Sequence, residues 1–131
     1  FYIPRAFKPF SELTYLQSWD EFDAVALLLF KGEPSEHFSA GNKPYMQQVL
    51  FFVDYSGVLL AIHLRNASFP MPTNRASQNL VYSLKNIIYN RKDSRYNMEV
   101  CDANEYSIFT TQEKSPRFVE ESNKLTTWME A

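Results

Sequence analysis

Residues 46–65 read MQQVLFFVDYSGVLLAIHLR, and this stretch decides the fold. It contains two apolar runs, 46–55 and 58–65, that meet at the turn signal DYSG. Gly57 can supply the positive φ that a tight hairpin needs. In the second run Val58, Leu60, Ile62 and Leu64 share one parity, whereas the other parity ends in His63 and Arg65. The pattern predicts a β-hairpin whose second strand is buried on its aliphatic side. Which side of the first strand is buried stays open, because apolar residues occupy both parities.

Further strands are predicted on either side of this hairpin. Residues 22–31 are apolar almost throughout and form the first strand; 80–89 form the fourth, and 95–101 the fifth. The fifth is interrupted at 102–104 and resumes at 106–110, which indicates a bulge or a sharp bend in one long strand. Residues 32–44, 66–79 and 90–94 are predicted as loops. Ser115 and Pro116 suit the cap and the first position of a closing helix.

Five strands in a small curled sheet, followed by a helix, predict an all-β fold: the five-stranded OB-fold, a Greek-key barrel. An open β-sandwich is the alternative, although it normally has seven strands. Residues 22–131 would form this domain, and 131 residues suit a single one. Residues 1–21 would be an N-terminal strap or linker that lies on the body, since Phe10, Leu13 and Leu16 recur at spacing three. Because the chain starts at Phe1 without an initiator Met, we expect it to be part of a longer protein.

Composition argues against several classes of protein. One cysteine, Cys101, cannot form an internal disulfide, which fits a reducing compartment. The two histidines are too far apart for zinc-ligand spacing, and three scattered glycines provide no phosphate-binding loop. The longest apolar run, 24–30, is far shorter than the roughly 20 residues that span a bilayer. We therefore expect no catalytic residues, metal, cofactor or membrane partner, and hence no enzyme.

Charge is distributed unevenly along the chain. The formal net charge is -2, yet residues 60–95 contain six basic side chains and a single acid, Asp93. The basic residues of this segment are Arg65, Arg75, Lys85, Arg91, Lys92 and Arg95. The remainder of the chain is strongly acidic, so the asymmetry favours a one-sided site for a polyanion.

Aromatic residues interleave with these cations, as in OB-folds that bind single-stranded DNA. The usual surface is the second and third strands, framed by the loops predicted here at 32–44 and 90–94. The candidate nucleic-acid-binding residues are Lys43, Tyr45, Phe52, His63, Arg65, Lys85, Arg91, Lys92, Arg95 and Tyr96. The competing interpretation is structural, since strand aromatics usually fill the core and hairpin cations are usually solvated.

Several segments also resemble a known family. Residues 22–25 (FDAV), 49–64 (VLFFVDYSGVLLAIHL), 84–110 and 115–125 resemble the C-terminal OB-fold of the breast cancer type 2 susceptibility protein family. The resemblance implies a module of a nuclear homologous-recombination mediator, which binds single-stranded DNA and helps load a RecA-like recombinase during double-strand break repair. Neighbouring OB-folds would then be partners. The alternative is an OB-fold that docks a protein partner or a neighbouring domain without direct DNA binding.

The resemblance and the charge pattern together define the expected mode of binding. Binding would be noncovalent, with cations on phosphates and aromatic rings stacked on bases. Because few phosphates would be neutralised and the net charge is negative, we expect weak and strongly salt-dependent affinity. We also expect no strong base preference.

Overall fold

Seven strands and a C-terminal helix make up the part of the chain that the computed structural model describes, namely residues 5–65, 80–93, 95–104, 106–111 and 113–130. A short 3₁₀ helix, Phe10–Tyr15, precedes them. The strands are β1 (Glu21–Lys31), β2 (Ser35–Phe38), β3 (Pro44–Val53), β4 (Leu59–Arg65), β5 (Val81–Asp93), β6 (Met98–Ala103) and β7 (Ile108–Thr110), and the helix α1 is Pro116–Glu130.

Five of these strands close into a barrel. Around the ring the order is β1-β3-β4-β6-β5, and β5 pairs back onto β1. The β4–β6 pair is parallel, whereas the other pairs are antiparallel. The predicted five-stranded OB-fold barrel is therefore present. β2 and β7 lie outside the ring, on β3 and β5 respectively.

Of the two strands outside the ring, β7 agrees with the sequence prediction and β2 does not. β7 follows β6 along the same edge of β5, so the predicted interruption of one long strand is confirmed. At the interruption Ser107 Oγ donates to the carbonyl of Asn86, a residue with a positive φ of 58°. The segment 32–44 was predicted to be a loop, which is wrong in part. It contains β2, which turns into β3 through a tight turn in which Asn42 N donates to the Ser39 carbonyl.

The β3–β4 register settles which side of β3 is buried. Phe52 pairs with Leu60 and Leu50 with Ile62, and all four side chains lie in the core. Phe52 is 0% exposed and meets the ring of Tyr82 edge-on, with 5.9 Å between ring centroids. The prediction that Phe52 stacks on a base is therefore wrong. The physical reason is the turn, which has five residues between Val53 and Leu59; a four-residue turn would have pointed Phe52 outward.

The strap and α1 both pack on the barrel. Phe10 and Leu13 are fully buried in the main core, which confirms that the strap lies on the body. On the outside of the barrel, Leu125 of α1 joins Leu27 and Val53 in a separate apolar cluster. The predicted helix start is confirmed, since α1 begins at Pro116 and the Ser115 hydroxyl accepts from Phe118 N–H at 3.3 Å. No helix among the described residues is long and apolar enough to cross a membrane.

Asp54 ties the strap to the β3–β4 turn. Its Oδ2 accepts from the Phe10 N–H at 2.7 Å, and its Oδ1 accepts from the Ser56 N–H at 3.0 Å and from the Ser56 hydroxyl. The carboxylate is buried, so these bonds replace its contacts with water.

We expect Asp54→Ala to lower the free energy of unfolding by about 1–3 kcal/mol, because the buried Phe10 N–H loses its acceptor. Urea unfolding measures the change. Asp20→Ala is the control, since Asp20 also accepts a backbone N–H, from Gln17, but at an exposed position. A loss for Asp20→Ala as large as that for Asp54→Ala would contradict the assigned role.

The two neighbouring phenylalanines of β3 provide a test of its sidedness. Phe52→Ala should cost about 3–5 kcal/mol of unfolding free energy, as for a buried phenylalanine. Phe51→Ala should cost at most about 2 kcal/mol, because Phe51 is only partly buried. Equal losses in parallel urea titrations would show that β3 does not have the register described.

Candidate nucleic-acid interface

The candidate site is the outward side of two adjacent strands, called the β3–β4 face below. Since Leu50 and Phe52 point inward, the opposite parity of β3 points outward, and the same holds for β4. Its members are Tyr45, Gln47, Val49 and Phe51 on β3, and Leu59, Ala61, His63 and Arg65 on β4. The predicted alternation in residues 58–65 is thereby confirmed.

One end of the β3–β4 face is a stack built around Tyr45. The Arg65 guanidinium lies over the Tyr45 ring, 4.5 Å from its centroid. His37 of β2 stacks on Tyr45 at 5.7 Å between ring centroids, with an interplanar angle of 23°. Because β2 and β4 flank β3 on opposite sides, we place His37 and Arg65 on opposite faces of the tyrosine. A base would therefore stack on the outer surface of this sandwich.

A second aromatic pair lies farther along β3. Phe51 and Phe30 pair across the β1–β3 ladder, with 6.1 Å between ring centroids, and Phe30 is 55% exposed. Phe51 is six residues from Tyr45, which corresponds to about 20 Å of strand. The face thus offers two aromatic platforms separated by the length of a few nucleotides.

Between the two platforms lies His63, near several charges. Burial lowers the pKa of His63 below its usual value of 6.5, and the nearby cations Arg91 and Arg65 act in the same direction. The carboxylate of Asp102, which pairs with His63 across the β4–β6 ladder, opposes the shift. The imidazole is therefore mostly neutral at pH 7, and two arginines lie close enough to affect it.

The β5–β6 hairpin provides the remaining cations. β5 continues to Asp93, so the predicted loop 90–94 is largely strand and the turn falls at 95–97. Arg91 and Lys92 are exposed on this strand. Arg95 lies 5.4 Å from the centroid of the exposed Tyr96 ring and pairs with Asp93 at 3.5 Å. Desolvation would raise the pKa of Asp93, but the hydrogen bonds from Arg95 outweigh it and lower the pKa.

Lys85 does not join this face. It lies where β5 pairs with β7, two strands away from β4 around the ring. Its ammonium forms a 2.5 Å ion pair with Glu113, and both side chains are largely buried. The bonds from Lys85, Ser115 and Ser83 lower the pKa of Glu113, which keeps the pair charged. The prediction that Lys85 attracts a phosphate on this face is therefore wrong.

The other predicted residues are distributed as follows. His63, Arg65, Tyr45 and Arg91 come together on or beside the β3–β4 face. Lys92, Arg95 and Tyr96 lie next to it on the β5–β6 hairpin, and Lys43 is exposed at the β2–β3 turn. Arg75 falls outside the described residues.

Sequence reasoning missed four residues of the site: His37, Phe30, Phe51 and Asp102. His37 was missed because the sequence predicts a loop over 32–44, and Phe30 because residues 22–31 are apolar almost throughout and show no distinct exposed side. Phe51 was missed because the parity of β3 depends on the five-residue turn, whereas the turn signal in the sequence, DYSG, has four residues. Asp102 lies at the predicted interruption of the fifth strand and was not treated as part of a face. In the part of the chain described, no group of three or more His, Cys, Asp or Glu is placed to hold a metal ion.

Comparisons with known proteins bear on the fold. No family model matches the chain, and no curated protein matches it. Among solved structures the chain is similar to a chain of a replication protein A heterotrimer bound to single-stranded DNA, with a TM-score of 0.75 and 19% sequence identity. The match covers 98% of this chain and 28% of that one, so this chain spans under a third of the matched protein's length. The similarity establishes the OB-fold; it does not establish the family that the sequence resembles.

Proposed function

We propose that this chain binds single-stranded DNA along the β3–β4 face. The observation that carries the proposal is the combination on one face of two aromatic platforms, Tyr45 and Phe30–Phe51, with the cations Arg65 and Arg91. Aromatic rings with a basic groove bind unpaired strands in many OB-folds, and each stacked base contributes about 1–3 kcal/mol by alanine substitution. The solved complex with a similar fold contains single-stranded DNA, which supports the same use of the fold here.

The charges on this face predict how binding depends on salt. Arg65, Arg91 and Lys92 are exposed cations of β4 and β5, and the first two lie close enough to His63 to lower its pKa. Three phosphate contacts give a log–log salt slope of about -2 for a single strand. Affinity should therefore be weak, and it should fall with about the square of the salt concentration.

The biological setting that we propose follows from the sequence resemblance. The chain would be one OB-fold of a nuclear recombination mediator, acting with neighbouring OB-folds to load a RecA-like recombinase. In that setting its contribution is to hold the unpaired strand while other parts of the protein engage the recombinase. A recombinase-loading assay with the full-length protein, carrying the face variants described next, tests this setting separately from DNA binding.

Charge reversal on the β5–β6 hairpin tests the site. We expect Arg91→Glu with Lys92→Glu to weaken binding of a fluorescein-labelled oligo-dT at least tenfold in about 0.1 M salt, because phosphates then meet like charge. Fluorescence anisotropy at two salt concentrations measures both the affinity and the salt slope.

The matched control is Lys114→Glu with Arg117→Glu, which changes the net charge equally. Both of these residues are exposed at the start of α1, beside Glu113 rather than on the β3–β4 face. The Debye length is about 10 Å at this ionic strength, so the control should weaken binding only slightly. Equal losses in the two variants would mean that the site lies elsewhere. No binding by the unaltered chain at low salt would favour the protein-docking alternative.

Protonation of His63 provides a test of the centre of the face. Its pKa is lowered in the free protein, and a bound phosphate would raise it again by favouring the charged imidazole. Binding would then take up a proton, so affinity for oligo-dT should rise about threefold to tenfold between pH 7.5 and 5.5. His63→Gln should flatten this dependence. A pH profile that stays the same after His63→Gln would show that His63 does not meet the DNA backbone.

A further inference from the structure

We infer that Asp102 makes the β3–β4 face selective for guanine, by accepting hydrogen bonds from the Watson–Crick edge of a guanine base. The inference rests on the proposed function and deepens it. It also changes the expectation of little base preference. Three features carry it: the position of the carboxylate, its fixed orientation, and the hydrogen-bonding groups that DNA can offer it.

Asp102 lies beside the middle of the proposed site. Its neighbours on β6, Cys101 and Ala103, belong to the core, so Asp102 points outward. It pairs with His63 across the β4–β6 ladder, and its charge reaches the imidazole. Its side chain is half-buried, and through His63 it is level with Val49, which lies between Tyr45 and Phe51 on β3.

The carboxylate is held in place from one side. Asn90 Nδ2 donates to Asp102 Oδ2 at 2.9 Å, and Asn90 is also half-buried. Each carboxylate oxygen can accept more than one hydrogen bond, so Oδ1 and the second lone pair of Oδ2 can accept from a ligand. A carboxylate fixed by a neighbouring amide is suited to read a base edge.

A carboxylate on a DNA-binding face repels phosphate, and the only groups in DNA that it can accept from are the N–H groups of the bases. Guanine presents two adjacent donors, N1–H and the N2 amine, which match the two oxygens of one carboxylate. Cytosine and adenine present one amine each beside an acceptor nitrogen. Thymine presents one N–H between two carbonyl oxygens, both of which repel the carboxylate. Guanine should therefore bind best and thymine worst.

The test uses an 11-mer of dT with one central substitution, measured by anisotropy in low salt. We expect central guanine to improve affinity about tenfold over central thymine, within the range for a bidentate base contact. Central hypoxanthine, which lacks only the N2 amine, should lose most of that gain. Because this comparison uses the unaltered protein, it does not depend on any variant folding.

Asp102→Asn should remove the preference for guanine and raise affinity for all-dT, since one repulsive charge is lost. Glu36→Gln is the matched control, because it removes one negative charge at an exposed position of β2; it should keep the preference. Equal affinity for the guanine, hypoxanthine and thymine oligomers would overturn the inference, as would a preference that survives Asp102→Asn. Failure of every oligomer to bind would instead overturn the proposed function.

Discussion

Closure of the barrel through β1 is the constraint on which the other features depend. The first half of β1 pairs with β5 and its second half with β3. A register shift interrupts each ladder, at residues 22–24 and 28–30, and such irregularities let a strand bend enough to serve two neighbours. Once the ring is closed, every strand has one side in the core and one side facing out. The outward side of β3 and β4 becomes a continuous surface for this reason.

The same constraint explains what could be predicted from the sequence. The strands, the hairpin and the helix start follow from local patterns, such as the aliphatic parity of 58–65 and the Ser115-Pro116 cap. The buried side of β3 does not follow, because Val49 and Phe51 are as apolar as Leu50 and Phe52. Only the register decides it, and one extra residue in the turn reverses every side chain of the strand. Because of that single residue, Phe51 lies on the outward face, where the sequence analysis predicts Phe52.

The positions of the charges are harder to predict. Counting basic residues along the sequence identifies a basic segment, but it does not show which of them share a face of the fold. Arg65 and Arg91 are 26 positions apart in sequence but come near the same imidazole through β4, β6 and β5. Lys85 lies between them in sequence, yet it is neutralised by Glu113, a residue far along the chain in the acidic remainder. Strand pairing therefore decides which cations remain available to a polyanion. Counting charges along the sequence does not reveal this.

In the proposed complex with DNA, affinity and base selectivity would come from different groups of the outward face. Arginine and lysine contacts to phosphate would contribute binding that is independent of base sequence and sensitive to salt, whereas stacking on the outer surface of the Tyr45 sandwich or on Phe51 would accept any base. A face built only of such groups would not need Asp102, since an acid among cations weakens the attraction for phosphate. The proposed base contact gives Asp102, which lies beside His63 and is held by Asn90, a role that offsets this lost attraction, namely discrimination between bases.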